Sequence, residues 1–124
     1  RRLIDPGMSG SEPHAGVVTC PTCELHVRVA EPNDAIEVYR RHGRVTGHDV
    51  EWERVALDVT TTSADVGSAL ADLDDGRPEG VPIGVLAAAL SPRGVPIADV
   101  LDGLYELRME GAIYEPTDDH VRVL

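Results

Sequence analysis

Cys20-Pro21-Thr22-Cys23, followed by His42 and then His48, forms the pattern C-x2-C-x18-H-x5-H. Two thiolates and two imidazoles are the donor set of a closed, tetrahedral structural zinc site with no position left for water. Both sulfurs reach one ion only if the chain turns sharply between them, and Pro21 presets the φ angle that such a turn needs. The interval between the halves exceeds the roughly twelve residues of the common two-cysteine, two-histidine finger, so the spacing predicts a variant with an extended second strand.

Outward from this stretch, Val17 to Thr19 reads as a short strand ahead of the cysteines. Leu25, Val27 and Val29 alternate with His26, Arg28 and Ala30, the period of a strand with one buried face, so a β-hairpin is expected. Pro32, Asn33 and Asp34 break it. Asp34 and Glu37 read as an N-terminal cap pair, and the helix that follows puts Ala35, Ile36, Tyr39 and His42 on one side before Gly43 ends it. His42 is thereby aimed at the cysteines. Beyond His48, Val50 and Trp52 share one strand face while Val55, Leu57 and Val59 share the other, a change of phase that a bulge near Arg54 reconciles. Residues 17–59 are therefore expected to be a zinc-stapled ββα finger with a trailing strand.

Thr60 to Thr62 form a polar seam, read as a hinge over residues 60–62. From Ser63 the period becomes helical, with Val66, Ala69, Leu70 and Leu73 on one face up to Asp74-Asp75-Gly76. A second helix follows Pro82 and covers Ile83 to Leu90. The third starts at Pro96 and carries Ile97, Val100, Leu101, Leu104 and Leu107 before Gly111. Ala112 to Glu115 and His120 to Leu124 flank Pro116-Thr117-Asp118-Asp119 as a terminal hairpin. Residues 63–124 thus read as a winged helix-turn-helix of three helices and a β-hairpin wing, and the whole chain as α+β.

Composition narrows the class. Twenty-two acidic residues stand against eleven basic ones, all of them arginine, for a net charge of −11, and there is no phenylalanine and one tryptophan among 124 residues. Any core is aliphatic, and a module of about forty residues built this way needs a metal to be stable. The acidic, lysine-free composition resembles that of proteins from salt-loving archaea, where high net charge keeps chains in solution. No apolar run reaches the length of a membrane span, and a cytoplasmic location is expected. Two neighbouring cysteines argue against a disulfide scaffold. Residues 1–7 lack the apolar segment of a signal peptide and read as a vector-derived extension, with 8–16 as a disordered leader.

Gly80-Val81-Pro82-Ile83 and Leu107-Arg108-Met109-Glu110-Gly111-Ala112-Ile113-Tyr114-Glu115-Pro116 resemble the C-terminal winged-helix domain of archaeal MCM replicative helicases, over about half the chain. Cys20, Cys23, His42 and His48, with Val45-Thr46-Gly47-His48-Asp49-Val50, resemble small zinc-finger proteins of haloarchaea. These resemblances imply an accessory role near DNA replication or gene regulation, without an ATPase module. Thr117-Asp118-Asp119-His120 departs from the helicase pattern, being acidic where a wing that touches DNA is basic.

The rivals for the metal role are a redox pair at Cys20 and Cys23, and His26 or His14 in place of one histidine ligand. The chain has no H-E-x-x-H, no Gly-rich phosphate loop and no G-x-S-x-G. A non-enzyme without a small-molecule substrate is expected. Residues 63–124 hold four arginines against twelve acids, and Asp99, Asp102, Glu106 and Glu110 occupy the outer side of the third helix, a poor surface for a major groove. Arg40-Arg41-His42-Gly43-Arg44 is the concentrated basic stretch. Arg40, Arg41 and Arg44 are therefore the expected nucleic-acid contacts, with DNA preferred over RNA, in a transcription regulator or replication accessory factor. The alternative is a protein adaptor that docks on a replication or transcription protein through Leu104, Tyr105, Met109 and Tyr114.

Overall fold

Residues 14–124 are described by a computed structural model, and their elements in chain order are β1 (Gly16–Thr19), β2 (His26–Val29), α1 (Pro32–Thr46), β3 (Glu51–Val55), α2 (Val66–Leu73), β4 (Val81–Pro82), α3 (Ile83–Leu90), α4 (Ile97–Met109), β5 (Ile113–Thr117) and β6 (His120–Val123). The described residues form a mixed α+β fold of four α-helices and two small antiparallel sheets, with strand orders β2-β1-β3 and β4-β6-β5. The first thirteen residues, where the expected extension and most of the leader fall, lie outside the described residues. Ala15 and Gly16 were expected in that leader and instead belong to the fold. The Ala15 N–H donates to the Val29 carbonyl at 2.8 Å, its carbonyl accepts from Ala56, and its side chain is buried.

The first sheet obeys its apolar period. Val18, Val29, Val50 and Trp52 are buried while His26, Arg28 and Glu51 are exposed. Val17 stands opposite Arg54 and Val18 opposite Trp52, so Glu53 is the extra residue of a bulge where the change of phase requires one. The second strand is not extended, having four residues. The long interval between the cysteine and histidine pairs is taken up instead by α1, which starts earlier and ends later than expected. Pro32 occupies its first turn, where a missing N–H costs nothing. Glu31 rather than Asp34 is the N-cap, and Asp34 reaches back to accept from the Glu31 N–H at 3.0 Å. Gly43 lies inside the helix; Gly47, at φ 76°, ends it and donates to the Gly43 carbonyl.

In the second half, α2 starts at Val66 rather than Ser63, because the Asp65 side chain caps it by accepting from Ser68 N–H at 2.9 Å. β4 was not foreseen. Two residues are too short for a readable period, and they are recognised as a strand only by pairing with β6. Thr61, inside the expected hinge, is buried, and its hydroxyl donates to Asp72 at 3.3 Å.

One aliphatic core runs through both halves, from Val18, Ile36 and Trp52 to Leu70, Leu86, Leu90, Val100 and Val121. Burying a side chain such as Ile36 stabilises the fold by about 1.5–3 kcal/mol. The two halves meet where α1 crosses α3. Gly84 lets the backbones touch there, since a Cβ on it would collide with the Pro32 carbonyl. Asn33 spans the crossing: its carbonyl accepts from Gly84 N–H at 2.7 Å and its amide donates to the Asp119 carbonyl at 3.1 Å.

Asp74 ties the end of α2 to β6. Its carboxyl is held below the usual range chiefly by the N–H groups of Gly76 and then Val123, which donate to it, and next by Arg122, with burial opposing. The folded value lies below the unfolded one, so its contribution is present above the ordinary carboxylate value of about 4 and is lost as pH falls through the depressed value. Asp74→Asn is expected to cost about 1 kcal/mol at pH 7, the difference from wild type vanishing in strong acid; an equal difference at every pH would refute the assignment. Gly84→Ala is expected to cost roughly 1–3 kcal/mol, read as a lower urea midpoint, and an unchanged midpoint would contradict the close crossing.

Candidate metal centre

Cys20 closes β1 and is buried, and Cys23 ends the tight turn after it, donating its N–H to the Cys20 carbonyl at 3.4 Å. Cys20 N–H and the Thr19 hydroxyl both donate to the Leu25 carbonyl, at 3.1 and 2.9 Å, which closes the knuckle over the strand ends. His42 comes from the C-terminal part of α1 and His48 from the segment just past it. Thr46 locks the two together: its hydroxyl donates to the His42 carbonyl at 2.7 Å and accepts from His48 N–H at 3.1 Å. Sequence reasoning passed over Thr46, although a threonine four residues after a candidate ligand has the spacing for such a back-bond.

The knuckle and the helix end bring Cys20, Cys23, His42 and His48 together, with one ligand atom of each within 4.8 Å of all the others. Cys20 Sγ is 3.7 Å from His48 Nδ1 and Cys23 Sγ is 3.4 Å from His42 Nε2. A tetrahedral ion at sulfur and nitrogen bond lengths of about 2.3 and 2.0–2.1 Å requires sulfur–nitrogen edges of about 3.6 Å, so the four donors fit one metal ion. The two imidazoles meet edge to face, at 5.5 Å and 60°, which lets each aim one nitrogen at the same point. Both cysteines are free thiols.

Burial pushes the Cys20 thiol up, but hydrogen bonds from the Thr22 hydroxyl and backbone, and then contacts with Cys23 and His42, outweigh it and lower the value to about 6. The thiolate, which is the ligating form, is thus favoured at neutral pH. Its folded value lies below 9.0, so the stabilisation is complete above that and is lost as pH falls through about 6.

The rival ligands stand elsewhere. His26 pairs with Glu53 at 3.2 Å on the outer face of the sheet, and His14 is not in the cluster. Asp49 accepts from the Tyr39 hydroxyl at 3.5 Å. Burial, then the carboxylates of Asp49 and Asp102, raises that hydroxyl above its usual value. The expected nucleic-acid contacts divide. Arg40 makes a bidentate pair with Asp119 at 2.7 and 2.9 Å, Arg41 makes a loose pair with Glu37 at 3.4 Å, and Arg44 has no ion pair among the described residues.

Residues 17–54, which include all four cluster residues, match the family model described as HVO_B0008 N-terminal, and residues 71–121 match the one described as HVO_B0008 C-terminal domain. The interval between the matches includes the polar seam at 60–62. No curated protein and no solved structure matches the chain.

Elemental analysis is expected to find one metal ion per chain, lost in Cys20→Ser and His42→Ala and kept in His26→Ala. Metal retained in Cys20→Ser but lost in His26→Ala would put the wrong imidazole in the site. Acidification is expected to release the ion as the thiolates take up protons, at a pH below the value of about 6 for the metal-free Cys20 thiol because a bound ion favours the thiolate, and loading unchanged even in strong acid would contradict thiolate ligation.

Proposed function

We propose that the chain is a non-enzymatic, zinc-stapled protein whose second half is a winged helix-turn-helix and whose role is that of a protein-protein adaptor. Zinc is the ion because thiolates and imidazoles select it over magnesium or calcium, and no carboxylate joins the set. Bound there, it would act as a cross-link between the knuckle and the end of α1. With four protein donors it has no open position at which to activate water.

The winged-helix reading is supported by the element order α2-β4-α3-α4-β5-β6 and the sheet order β4-β6-β5, in which the first strand pairs with the last. In that layout α4 and the β5–β6 turn make up the face usually given to DNA. The single observation that carries the adaptor reading is the bidentate Arg40–Asp119 pair, by which α1 takes hold of the tip of that hairpin from the other half of the chain. Arg40 also borders the groove between α4 and the hairpin, with Leu101, Leu104, Tyr105, Arg108, Glu115 and Val121. The open side of α4 is acidic, at Asp99, Asp102, Glu106 and Glu110, and repels phosphates.

A second reading, nucleic-acid binding by a regulator or replication accessory factor, is favoured by Arg41 and Arg44, which stand exposed on α1 with little or no compensating charge. Anisotropy titrations of labelled duplex DNA, single-stranded DNA and RNA at several salt concentrations separate the two. The adaptor reading predicts no saturable binding by wild type. Saturable binding that is abolished by Arg41→Gln with Arg44→Gln would overturn it in favour of the nucleic-acid reading.

A further inference from the structure

Three regions offer surfaces beyond the metal centre. A depression of about 470 Å³ lies between Leu57, Val59, Leu73 and Val85, but its one cation, Arg77, already pairs with Asp75 at 2.9 Å, which leaves Asp58 as the remaining charge in its lining. A cleft of about 450 Å³ beside His48 is bounded by Arg40 and Arg44, with Asp49 among them, so its charge is mixed. The third region, the outer face of α4, has one sign of charge and two large apolar side chains in water.

Tyr105 and Met109 are 66% and 69% exposed, although the chain has only four aromatic residues and two methionines. With the half-buried Leu101 they recur every four residues, which makes a single stripe along α4. The stripe borders the groove against the hairpin, whose walls include the buried Ile83, Leu104 and Val121. On the far side of the stripe stand Asp99, Asp102, Glu106 and Glu110. Three of these carboxylates also line a second depression, whose other walls are the apolar Val66, Val95 and Leu107 and the α2 cap Asp65.

The charges near the stripe do not cancel. Arg108, on the groove side, is taken by Glu115 at 2.9 Å, and Arg40 by Asp119. None of the four α4 carboxylates has an ion pair or side-chain hydrogen bond among the described residues. The uncompensated charge beside the apolar stripe is therefore wholly negative. A complementary surface carries apolar anchors at helical spacing and cations on the flank that meets those acids.

Resting on the adaptor reading, we infer that the outer face of α4 docks a basic amphipathic segment of another protein, with Tyr105 and Met109 as the apolar anchors and Asp102, Glu106 and Glu110 as the partners of its arginines or lysines. Nucleic acid is rejected by the same carboxylates. A second copy of this chain is disfavoured too, because the face would meet a molecule of net charge −11.

The test is an amide-shift titration of the metal-loaded full chain with a designed helical peptide bearing leucines on one face and arginines on the other. A matched peptide with glutamates for arginines is run beside it. Saturable shifts centred on residues 99–114 are expected for the arginine peptide alone. Affinity is expected to fall by about tenfold or more in Tyr105→Ala with Met109→Ala, and by a comparable factor in Asp102→Asn with Glu106→Gln and Glu110→Gln. All five positions are exposed, and an unchanged urea midpoint and metal content check that each variant is folded. Wild-type affinity retained in both variants would mean general attraction to an acidic protein and would overturn the inference. Equal binding of the glutamate peptide at the same face, or self-association through it, would overturn the cationic partner while leaving the adaptor reading intact. If neither peptide shifts any residue and duplex DNA does, both fall.

Discussion

The structure depends on where one helix is held. α1 is long enough to be gripped at both ends: its first turn lies on α3 with no side chain at Gly84 to keep them apart, and its last turn ends in the four-residue cluster. The strands beside the cluster have four or five residues each, and α1 contributes only Ala35 and Ile36 as fully buried side chains. A unit of that size has little apolar mass to balance the chain entropy of folding, and an ion held by the four side chains would supply a cross-link. The shared core and the Asn33 and Arg40 contacts then extend the constraint to the second half.

The same geometry decides the electrostatics. Arg40 lies one turn of helix or less from His42, so whatever fixes His42 also fixes the guanidinium that grips Asp119. Asp119 itself sits at φ 57°, a conformation that asparagine and aspartate tolerate better than most residues, and its N–H donates to Glu115 at 2.8 Å. The hairpin tip is thus shaped to present a carboxylate to α1 rather than to solvent. In the second half Arg77 and Arg108 are exposed but paired, and Arg93 donates to the Thr62 carbonyl, so the outward charge is mainly acidic, with a short apolar stripe on α4.

Much of this was legible in the residues, for identifiable reasons. The cluster was readable because soft-ligand chemistry limits the residue types, and because a strand period and a helix period flank it on either side. Helices α3 and α4 were readable because proline starts them and apolar spacing runs through them; the bulge opposite Val17 and Val18 was readable because a phase change in a strand has few other causes. The ends of α1 were misplaced because several local signals compete. Gly43 is a local stop, yet it stays helical, and Gly47 takes the left-handed position one turn later, after Thr46 has bonded back to the His42 carbonyl. The pairing of β4 with β6, the Asn33 bridge and the capture of Arg40 all join residues far apart in sequence, so no local pattern announces them. Leu104, expected as part of a docking surface, is buried in the core, while Tyr105, Met109 and Tyr114 stay out.

The central claim is that two sulfurs and two imidazole nitrogens share one zinc ion and thereby hold α1. X-ray absorption at the zinc edge of the purified full chain tests it most directly. The account predicts a first shell of two sulfurs at about 2.3 Å and two nitrogens at about 2.0–2.1 Å, with imidazole scattering beyond. A shell made only of nitrogen and oxygen, or a folded chain that carries no metal, would contradict it.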